Sequence, residues 1–354
     1  MIRILTELKI SVIIFRVMTK KHRRFLNHMD FIIQNILPYI LLVIGFVLLI
    51  KGADFFVDGA SSIAGKLKVP SLIIGLTVVS IGTSLPEAAV SLSASLSGTN
   101  EISLGNVIGS NLFNILVVVG ISSAILPIIT DMDILKRDMP INLAATVTLF
   151  IMLIDGKLTR PESIILLIFL ASYMFMLIRS ALKSRSENTE EEDETKILSW
   201  TKSIIFVVIG AAAIIGGGQL VVNSATKIAS ALGMGDTLIG LTVVAFGTSL
   251  PELVTSIVAA KKGDSGIAMG NVVGSCLFNI LFILGMTGTI TPMTSSLAMS
   301  IDTGILIGVS ALMIIFAYTK RKTSRWEGIT FTCMYVLYTA YIIMRAYNLF
   351  GLGI

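Results

Sequence analysis

The chain has 354 residues, of which 54% are hydrophobic and only 14% are charged, and its mean hydropathy is +0.89. Soluble domains usually carry about 25% charged residues, so this composition excludes a disordered chain, a coiled coil and an ordinary soluble enzyme. The formal net charge of +5 raises the question of a nucleic-acid partner. In a membrane protein, however, excess Lys and Arg mark cytoplasmic loops, so we expect no nucleic-acid partner.

Ten hydrophobic runs predict an all-α membrane protein with ten transmembrane helices, since a span needs about 20 mostly apolar residues. In chain order the runs are 36–56, 70–96, 103–127, 139–154, 162–179, 203–222, 237–260, 266–292, 299–318 and 327–347. Asp54 and Asp58 stand at the end of the first run, and we interpret them as helix-end or vestibule residues.

Only one connection between the runs is both long and polar. It covers residues 181–201 and contains the acidic cluster Glu190-Glu191-Glu192-Asp193-Glu194. Blocks of like charge are normally solvated, so this segment is predicted to link two five-helix repeats, residues 36–180 and 202–350.

The distribution of basic residues predicts the orientation in the membrane. If the N-terminus lies outside, the loops on the cytoplasmic side hold 15 Lys and Arg, and the outside loops and C-terminus hold 4. The positive-inside rule then favours a plasma-membrane protein with both termini outside and the 181–201 linker in the cytoplasm. The basic extension, residues 1–35, conflicts with this orientation because it carries seven Lys and Arg before residue 29. We hypothesise that translation begins at Met29.

An internal repeat relates the two halves. The segment Gly82-Thr83-Ser84-Leu85-Pro86-Glu87 recurs as Gly247-Thr248-Ser249-Leu250-Pro251-Glu252, an offset of 165 residues, and the same offset maps Gly75–Val79 onto Gly240–Val244. Because the offset spans five helices, an odd number, the second half must cross the membrane in the opposite direction. Inverted repeats are typical of secondary transporters, whose sites lie near the bilayer midplane between discontinuous helices.

The repeated segment has the composition of an ion site. Glu87 and Glu252 lie in otherwise apolar runs, although a charge in a bilayer costs at least about 2.5–3.5 kcal/mol. The proline before each glutamate removes a backbone hydrogen bond and breaks the helix, which frees carbonyl oxygens. Carboxylates, hydroxyls and carbonyls together are the hard oxygen ligands that Ca²⁺ prefers.

A second element adds polar side chains. Ser110 and Asn114, and their counterparts Ser275 and Asn279, are four residues apart, so each pair lies on one face of a helix. Glycines such as Gly105 are interpreted as close-packing positions. We interpret Asn106 and Asn271 as residues that hydrogen-bond between helices.

These two motifs, GTSLPE followed by GN-V-GS and a further Asn, resemble the alpha-repeats of the calcium/cation antiporter superfamily, especially prokaryotic sodium/calcium exchangers. The resemblance covers about residues 36–350. It implies ten helices, an inverted five-plus-five repeat with broken helices at a central ion site, and electrogenic exchange of about three Na⁺ for one Ca²⁺.

The resemblance also implies roles for matching positions. Glu87 and Glu252 would be the shared acidic ligands, with carbonyls of Thr83 and Thr248 on Ca²⁺. Flanking Na⁺ sites would use the carbonyls of Ser80 and Ala245 and the hydroxyls of Ser110 and Ser275. Asn114 and Asn279 would line the centre, with Ser84 and Ser249 nearby. Some relatives carry Asp where this chain has Asn279, and the neutral amide argues against K⁺ co-transport.

The function predicted from the sequence is therefore a Na⁺/Ca²⁺ antiporter that works by alternating access, not an enzyme. Ca²⁺ and Na⁺ are transported ions, no cofactor is expected, and no obligate protein partner is evident. H⁺/Ca²⁺ exchange through the same glutamates stays open as an alternative, and so does a cation channel. Gly233-Met234-Gly235-Asp236 resembles an intramembrane-protease signature, but it lies in a loop, and we interpret it as a turn.

Overall fold

A computed structural model describes residues 36–98, 100–187, 198–234 and 245–346. The 1–35 extension with Met29, the acidic cluster of the linker and the repeat segment Gly240–Val244 lie outside the described residues. So do Gly235 and Asp236 of the proposed turn, although Gly233 in the same loop has a left-handed φ of 82°.

The described elements of the first half are helices interrupted by short π-helical turns. They are α1 (Leu37–Leu67), α2 (Ser71–Thr83), α3 (Leu85–Leu96), α4 (Glu101–Ile125), strand β1 (Ile128–Ile129), α5 (Met139–Met152), strand β2 (Lys157–Leu158) and α6 (Arg160–Glu187).

The described elements of the second half follow the same order. They are α7 (Trp200–Ala231), α8 (Ala245–Thr248), α9 (Leu250–Lys261), α10 (Ser265–Ile290), strand β3 (Met293–Thr294), α11 (Leu297–Lys320), strand β4 (Lys322–Thr323) and α12 (Arg325–Ala346).

The described ranges contain 7 helices long and apolar enough to cross a membrane, or 8 if the bent pair α2 and α3 is one span. Two of the ten predicted spans are missing from this set. In the run 139–154, the 14 residues of α5 continue directly from a π-helical turn, Ile134–Asp138, that contains Lys136, Arg137 and Asp138. The run 237–260 begins with residues outside the described ranges. The all-helical membrane fold is confirmed, whereas the count of ten stays a prediction.

The first helix is longer than the sequence predicted. It continues to Leu67 and ends where Lys68 adopts a left-handed φ of 54°. Asp54 and Asp58 therefore lie inside α1, and the interpretation of them as helix-end residues is wrong. The apolar run stops near residue 56, but small residues such as Gly59 and Ala60 keep one face buried, and this packing extends the helix.

The two halves are related by a pseudo-two-fold axis. β1 pairs with β4, with Ile128 opposite Thr323, and β2 pairs with β3, with Leu158 opposite Met293. Adding 165 to one partner and subtracting 165 from the other converts the first pair into the second. Each half thus completes the short sheets of the other, as expected for a duplicated and interlocked structure.

The long helices α1 and α7 cross at glycines, and this crossing follows the same symmetry. A Cβ on Gly52 would lie 3.0 Å from the Gly210 carbonyl oxygen, and one on Gly217 would lie 2.8 Å from the Gly45 carbonyl oxygen. Small residues let helix backbones approach closely in membranes. The outer faces expose large apolar side chains such as Val208, which suits lipid.

The centre of the molecule consists of α4 and α10, in which 78% and 89% of the most apolar window is buried. In α10, Gly270 and Gly274 pack directly on α2, since a Cβ at Gly270 would lie 2.9 Å from the Leu72 carbonyl oxygen. The close-packing interpretation of glycines is thus confirmed here. At Gly105 the interpretation stays a prediction, since among the described residues a Cβ there would meet only the end of the Met299 side chain, at 4.0 Å.

Candidate ion-binding site

The site is built around two breaks in the helices. α2 and α3 are bent by 48° at Ser84, whose ψ of 7° departs from helical geometry. α8 and α9 break in the same way at Ser249, with ψ of 8°. Pro86 is the second residue of α3, where its missing N–H costs no hydrogen bond of that helix. The predicted broken helices are therefore confirmed.

Glu87 and Glu252 lie in the first turns of α3 and α9, and both are fully buried. The N-terminal end of a helix carries partial positive charge that favours a carboxylate. Among the described residues neither glutamate forms an ion pair with Lys or Arg. The two acidic groups are left available for a cation.

Each glutamate receives a hydrogen bond from the other half of the chain. Ser84 Oγ donates to Glu252 Oε1 at 2.9 Å, and Ser249 Oγ donates to Glu87 Oε1 at 3.0 Å. The second carboxylate oxygen, Oε2, accepts no hydrogen bond in either glutamate within the described residues. A buried carboxylate oxygen without a donor is costly, and binding a cation there would remove that cost.

Asn114 and Asn279 lie where α4 and α10 change to π-helical geometry, in segments Asn114–Val119 and Phe278–Leu284. Single π-helical turns often occur at functional sites. Both side chains are fully buried. Neither amide atom of Asn114 nor the Oδ1 atom of Asn279 has a hydrogen-bond partner among the described residues.

The remaining predicted ligands lie around this centre. Ser275 Oγ is 3.5 Å from the Ser80 carbonyl oxygen, so these two predicted Na⁺ ligands meet. Ser110 and Ser275 lie close to Glu87 and Glu252, respectively. Ala245 begins the short helix α8.

The threonines of the motif have supporting contacts. The Thr83 hydroxyl donates to Asn271 Oδ1 at 2.9 Å. This side chain therefore already has a hydrogen-bond partner, which agrees with the expectation that Thr83 would bind Ca²⁺ through its backbone carbonyl. Thr248, its counterpart, lines a cavity beside the centre.

Asn106 and Asn271 connect the two elements of each half. Asn106 Nδ2 donates to the Glu87 carbonyl oxygen at 3.2 Å and to Ser91 Oγ at 2.9 Å. Asn271 makes the equivalent bonds to the Glu252 carbonyl oxygen and to Ser256, at 3.2 and 2.9 Å. The interpretation of both asparagines as inter-helix hydrogen-bond residues is confirmed, and they hold the glutamates in place.

The cavity beside the centre has a volume of about 490 Å³. Ser110 and Thr248 line its inner part, and Ser296 and Arg345 also line it. Arg345 forms a bidentate ion pair with Asp302, in which Nη1 donates to Oδ1 at 3.0 Å and Nη2 donates to Oδ2 at 2.8 Å. The cavity therefore borders both predicted ligands and an exposed residue, Ser296.

Sequence reasoning missed some of these residues. Asp302 and Arg345 were not singled out as a pair, although both fall within predicted spans, and charges at such positions are a recognisable signal. The side chain of Asn111, which contacts Asn279 at 3.0 Å, gave no signal beyond its place next to Ser110.

The ligand set is poor in charge. Within the described ranges no group of three or more His, Cys, Asp or Glu side chains comes together to hold a metal. Two carboxylates surrounded by neutral hydroxyls, amides and carbonyls suit a site that binds and releases hard cations, because a denser acidic cluster would hold them more tightly.

Comparison with known proteins is consistent with this arrangement. The family described as sodium/calcium exchanger protein matches residues 37–179 and again residues 202–344. The chain belongs to the sodium/calcium exchanger family. This is a family of transporters, not of enzymes, so the resemblance seen in the sequence is confirmed.

The similarity extends over nearly the whole length of individual relatives. Sodium/calcium exchanger MaX1 of Methanosarcina acetivorans is 35% identical over 85% of this chain and 97% of that protein. The inner membrane protein YrbG of Escherichia coli is 34% identical over 85% of this chain and 95% of its own. The solved structure of the sodium–calcium exchanger NCX_Mj, soaked with Na⁺ and Sr²⁺, superimposes with a TM-score of 0.75 at 35% identity, covering 86% of this chain and 98% of that one.

Proposed function

We propose that this exchanger binds Ca²⁺ and Na⁺ in competition at the site formed by Glu87 and Glu252, and carries them across the plasma membrane by alternating access. The observation that carries the proposal is the pair of buried Oε2 atoms without a hydrogen-bond donor among the described residues, on two carboxylates near enough to interact electrostatically. Two carboxylates supply a charge of −2, which balances one Ca²⁺. Na⁺ bound to the same oxygens weakens Ca²⁺ binding.

The finer features of the proposal follow from the ligand set. Thr83, Thr248, Ser84, Ser249, Asn114 and Asn279 supply the neutral oxygens around Ca²⁺, and Ser80, Ser110, Ser275 and Ala245 contribute to the flanking Na⁺ sites. Exchange of three Na⁺ for one Ca²⁺ moves net charge. Asn279 is neutral, so the centre holds only two carboxylates, which supports transport without K⁺. The acidic linker faces the cytoplasm, and each half, 36–180 and 202–350, contributes one glutamate.

Conservative substitution tests the site. Glu87→Gln and Glu252→Gln are each expected to abolish Na⁺-driven ⁴⁵Ca²⁺ uptake into proteoliposomes, because an amide keeps the shape of the side chain but removes half of the site's charge. Glu101→Gln is the matched control, since Glu101 is an exposed glutamate of α4 and its loss leaves the charge at the centre unchanged. Monodisperse elution of all three variants in detergent shows that they are folded.

The same vesicles distinguish the coupling ions. Uptake is expected with an imposed Na⁺ gradient, without K⁺, and to increase when the interior is made positive at a fixed Na⁺ gradient that drives Ca²⁺ inward. Uptake driven by a pH gradient alone would identify an H⁺/Ca²⁺ exchanger instead. Ca²⁺ flux without any counter-ion gradient would identify a channel. Wild-type uptake by either Gln variant would overturn the assignment of the site.

A further inference from the structure

Two residues at equivalent positions of the repeats meet at the pseudo-two-fold axis. Asn111 and Cys276 are 165 residues apart, and Asn111 Nδ2 donates to the Cys276 carbonyl oxygen at 3.1 Å. Asn111 Oδ1 accepts a hydrogen bond from Asn279 Nδ2 at 3.0 Å. Asn111 thus stands between the backbone of α10 and one of the central asparagines, and it is only 1% exposed.

This chain of hydrogen bonds fixes which way both amides face. A carbonyl oxygen only accepts hydrogen bonds, so the Asn111 atom next to the Cys276 carbonyl must be its nitrogen. Its oxygen then faces Asn279, which must present its own nitrogen in return. The remaining atom, Asn279 Oδ1, is buried and has no hydrogen-bond partner among the described residues.

The other half of the molecule has only a weak version of this arrangement, in which Cys276 Sγ donates to the Asn111 carbonyl oxygen at 4.0 Å. Asn114 is the counterpart of Asn279, and the residue equivalent to Asn111 on its side is Cys276, whose thiol lies close to Asn114. A thiol is only a weak donor and acceptor, and neither amide atom of Asn114 is hydrogen-bonded within the described residues. The two central amides are therefore chemically alike, but among the described residues only the Asn279 amide is held by a hydrogen bond from another amide side chain.

We propose that Asn111 is a positioning residue that holds the Asn279 amide with its oxygen toward the bound cation. The inference rests on the proposed ion site at Glu87 and Glu252. If the Asn279 amide rotated by half a turn, its NH₂ group would point at the cation, and a hard oxygen ligand would be replaced by a hydrogen-bond donor. The two halves of the site therefore differ at positions 111 and 276, as they also do at Ser80 and Ala245.

Equilibrium binding of ⁴⁵Ca²⁺ to the purified full-length protein tests the proposal. Asn111→Ala is expected to weaken Ca²⁺ binding by about tenfold, which corresponds to about 1.4 kcal/mol, within the range of one hydrogen bond to a polar or charged group. Asn223→Ala is the matched control, because Asn223 is an exposed asparagine of α7 outside the proposed site, and it is expected to bind Ca²⁺ as the wild type does.

Coupling between positions 111 and 279 separates orientation from simple packing. In an Asn279→Asp background both terminal atoms at position 279 are oxygens, and in an Asn279→Ala background no amide is left to orient. Asn111→Ala is therefore expected to change Ca²⁺ affinity by less than about twofold in either background, which is about 0.4 kcal/mol. A merely structural role of Asn111 would instead weaken binding equally in all backgrounds.

The outcomes distinguish failure of the positioning role of Asn111 from failure of the ion site at Glu87 and Glu252. The same tenfold loss from Asn111→Ala with and without the Asn279 amide would overturn the positioning role, and so would unchanged binding by Asn111→Ala alone. If the glutamate variants Glu87→Gln and Glu252→Gln bind Ca²⁺ like the wild type, the proposed site itself fails. Loss of binding in the glutamate variants without coupling between positions 111 and 279 would refute only the role of Asn111.

Discussion

At the scale of single residues, the molecule supports its two buried carboxylates by exchanging hydrogen bonds between the halves. The serine of each motif donates a hydrogen bond to the glutamate of the other motif, from Ser84 to Glu252 and from Ser249 to Glu87. One oxygen of each carboxylate is thereby held in place while the other stays free. The site is assembled only when both halves are docked.

Removing either serine hydroxyl is expected to weaken Ca²⁺ binding. A hydrogen bond to a charged group contributes about 1.5–3 kcal/mol, so Ser84→Ala and Ser249→Ala should each raise the apparent Km for Ca²⁺ by roughly tenfold or more. The two effects should be similar because the two bonds are equivalent. Ca²⁺-dependent uptake rates in proteoliposomes measure this change.

Ser93→Ala is the control for these variants, because Ser93 lies in the same helix as Glu87 but is exposed. It should leave the Km for Ca²⁺ unchanged. A wild-type Km in Ser84→Ala would mean that Glu252 needs no support from the opposite half.

Much of the site could be predicted at this scale. The offset of 165 and the cost of charge in a membrane are enough to select Glu87 and Glu252. The bond between Asn111 and Asn279 could not be predicted, because it depends on two residues meeting across the pseudo-two-fold axis, and the repeat at that position reads Asn in one half and Cys in the other.

At the scale of helices, equivalent sequence does not guarantee equivalent packing. Gly105 and Gly270 occupy the same position of the repeat, and the sequence offers no reason to treat them differently. In the structure Gly270 lies against the backbone of α2, whereas Gly105 lines the cavity. Among the described residues Gly105 borders a cavity where Gly270 contacts helix backbone, a difference that a repeat in the sequence does not record.

Alanine substitutions should separate these two glycines. A Cβ at Gly270 would lie 2.9 Å from the Leu72 carbonyl oxygen and 3.0 Å from the Leu76 amide nitrogen, and such overpacking costs typically 1–3 kcal/mol. Among the described residues a Cβ at Gly105 would meet only the end of the Met299 side chain, at 4.0 Å, and Ala in place of Gly stabilises a helix by roughly 0.5–1 kcal/mol. Gly270→Ala should therefore lower the Tm in detergent, and Gly105→Ala should maintain or raise it.

Scanning fluorimetry of the two variants beside the wild type measures this difference. Equal changes in Tm would mean that α10 is free to move away from α2 at no cost. The helix boundaries show the same limitation of sequence reasoning, since the apolar run ended near residue 56 while packing of small residues carries α1 to Leu67.

At the scale of the whole molecule, the contacts between helices differ at the two faces of the bundle. One face holds the cavity with Arg345. At the other face, predicted to be cytoplasmic, Lys262 at the end of α9 binds α1: its Nζ donates to Asp58 Oδ1 at 2.7 Å and to the Asp54 carbonyl oxygen at 2.8 Å. Asp264 accepts a hydrogen bond from Ser61 of α1 at 2.8 Å.

The repeat contains no second copy of the contact between Lys262 and the two aspartates of α1. The positions equivalent to Asp54 and Asp58 are Gln219 and Asn223 in α7, and Gln219 donates to Asn223 at 3.0 Å. Lys262 itself corresponds to Ser97. Among the described residues, the contacts of Lys262 therefore attach α9 to α1 at this face, and the equivalent positions of the repeat lack the charged side chains to form them.

Loss of the Lys262 ammonium group is expected to loosen the closed face. Partly exposed ion pairs contribute up to about 1 kcal/mol, so Lys262→Gln should increase the population of states in which α1 is detached from α9 by up to about fivefold. Hydrogen–deuterium exchange of peptides covering residues 54–67 should become faster to that extent. The apolar contacts of α1 with α7 at Gly52 and Gly210 remain, so peptides near residue 45 should be unaffected.

Lys261→Gln is the matched control, because Lys261 is an exposed neighbour with the same charge. Its removal changes the local charge equally without removing the contact to α1. If both variants exchange deuterium at the same rate over residues 54–67, net charge at this face and not the Lys262 contact governs the movement of α1. If only Lys262→Gln accelerates exchange, and the acceleration disappears in Lys262→Arg because the pairing with Asp58 is restored, then this contact sets the balance between the two faces.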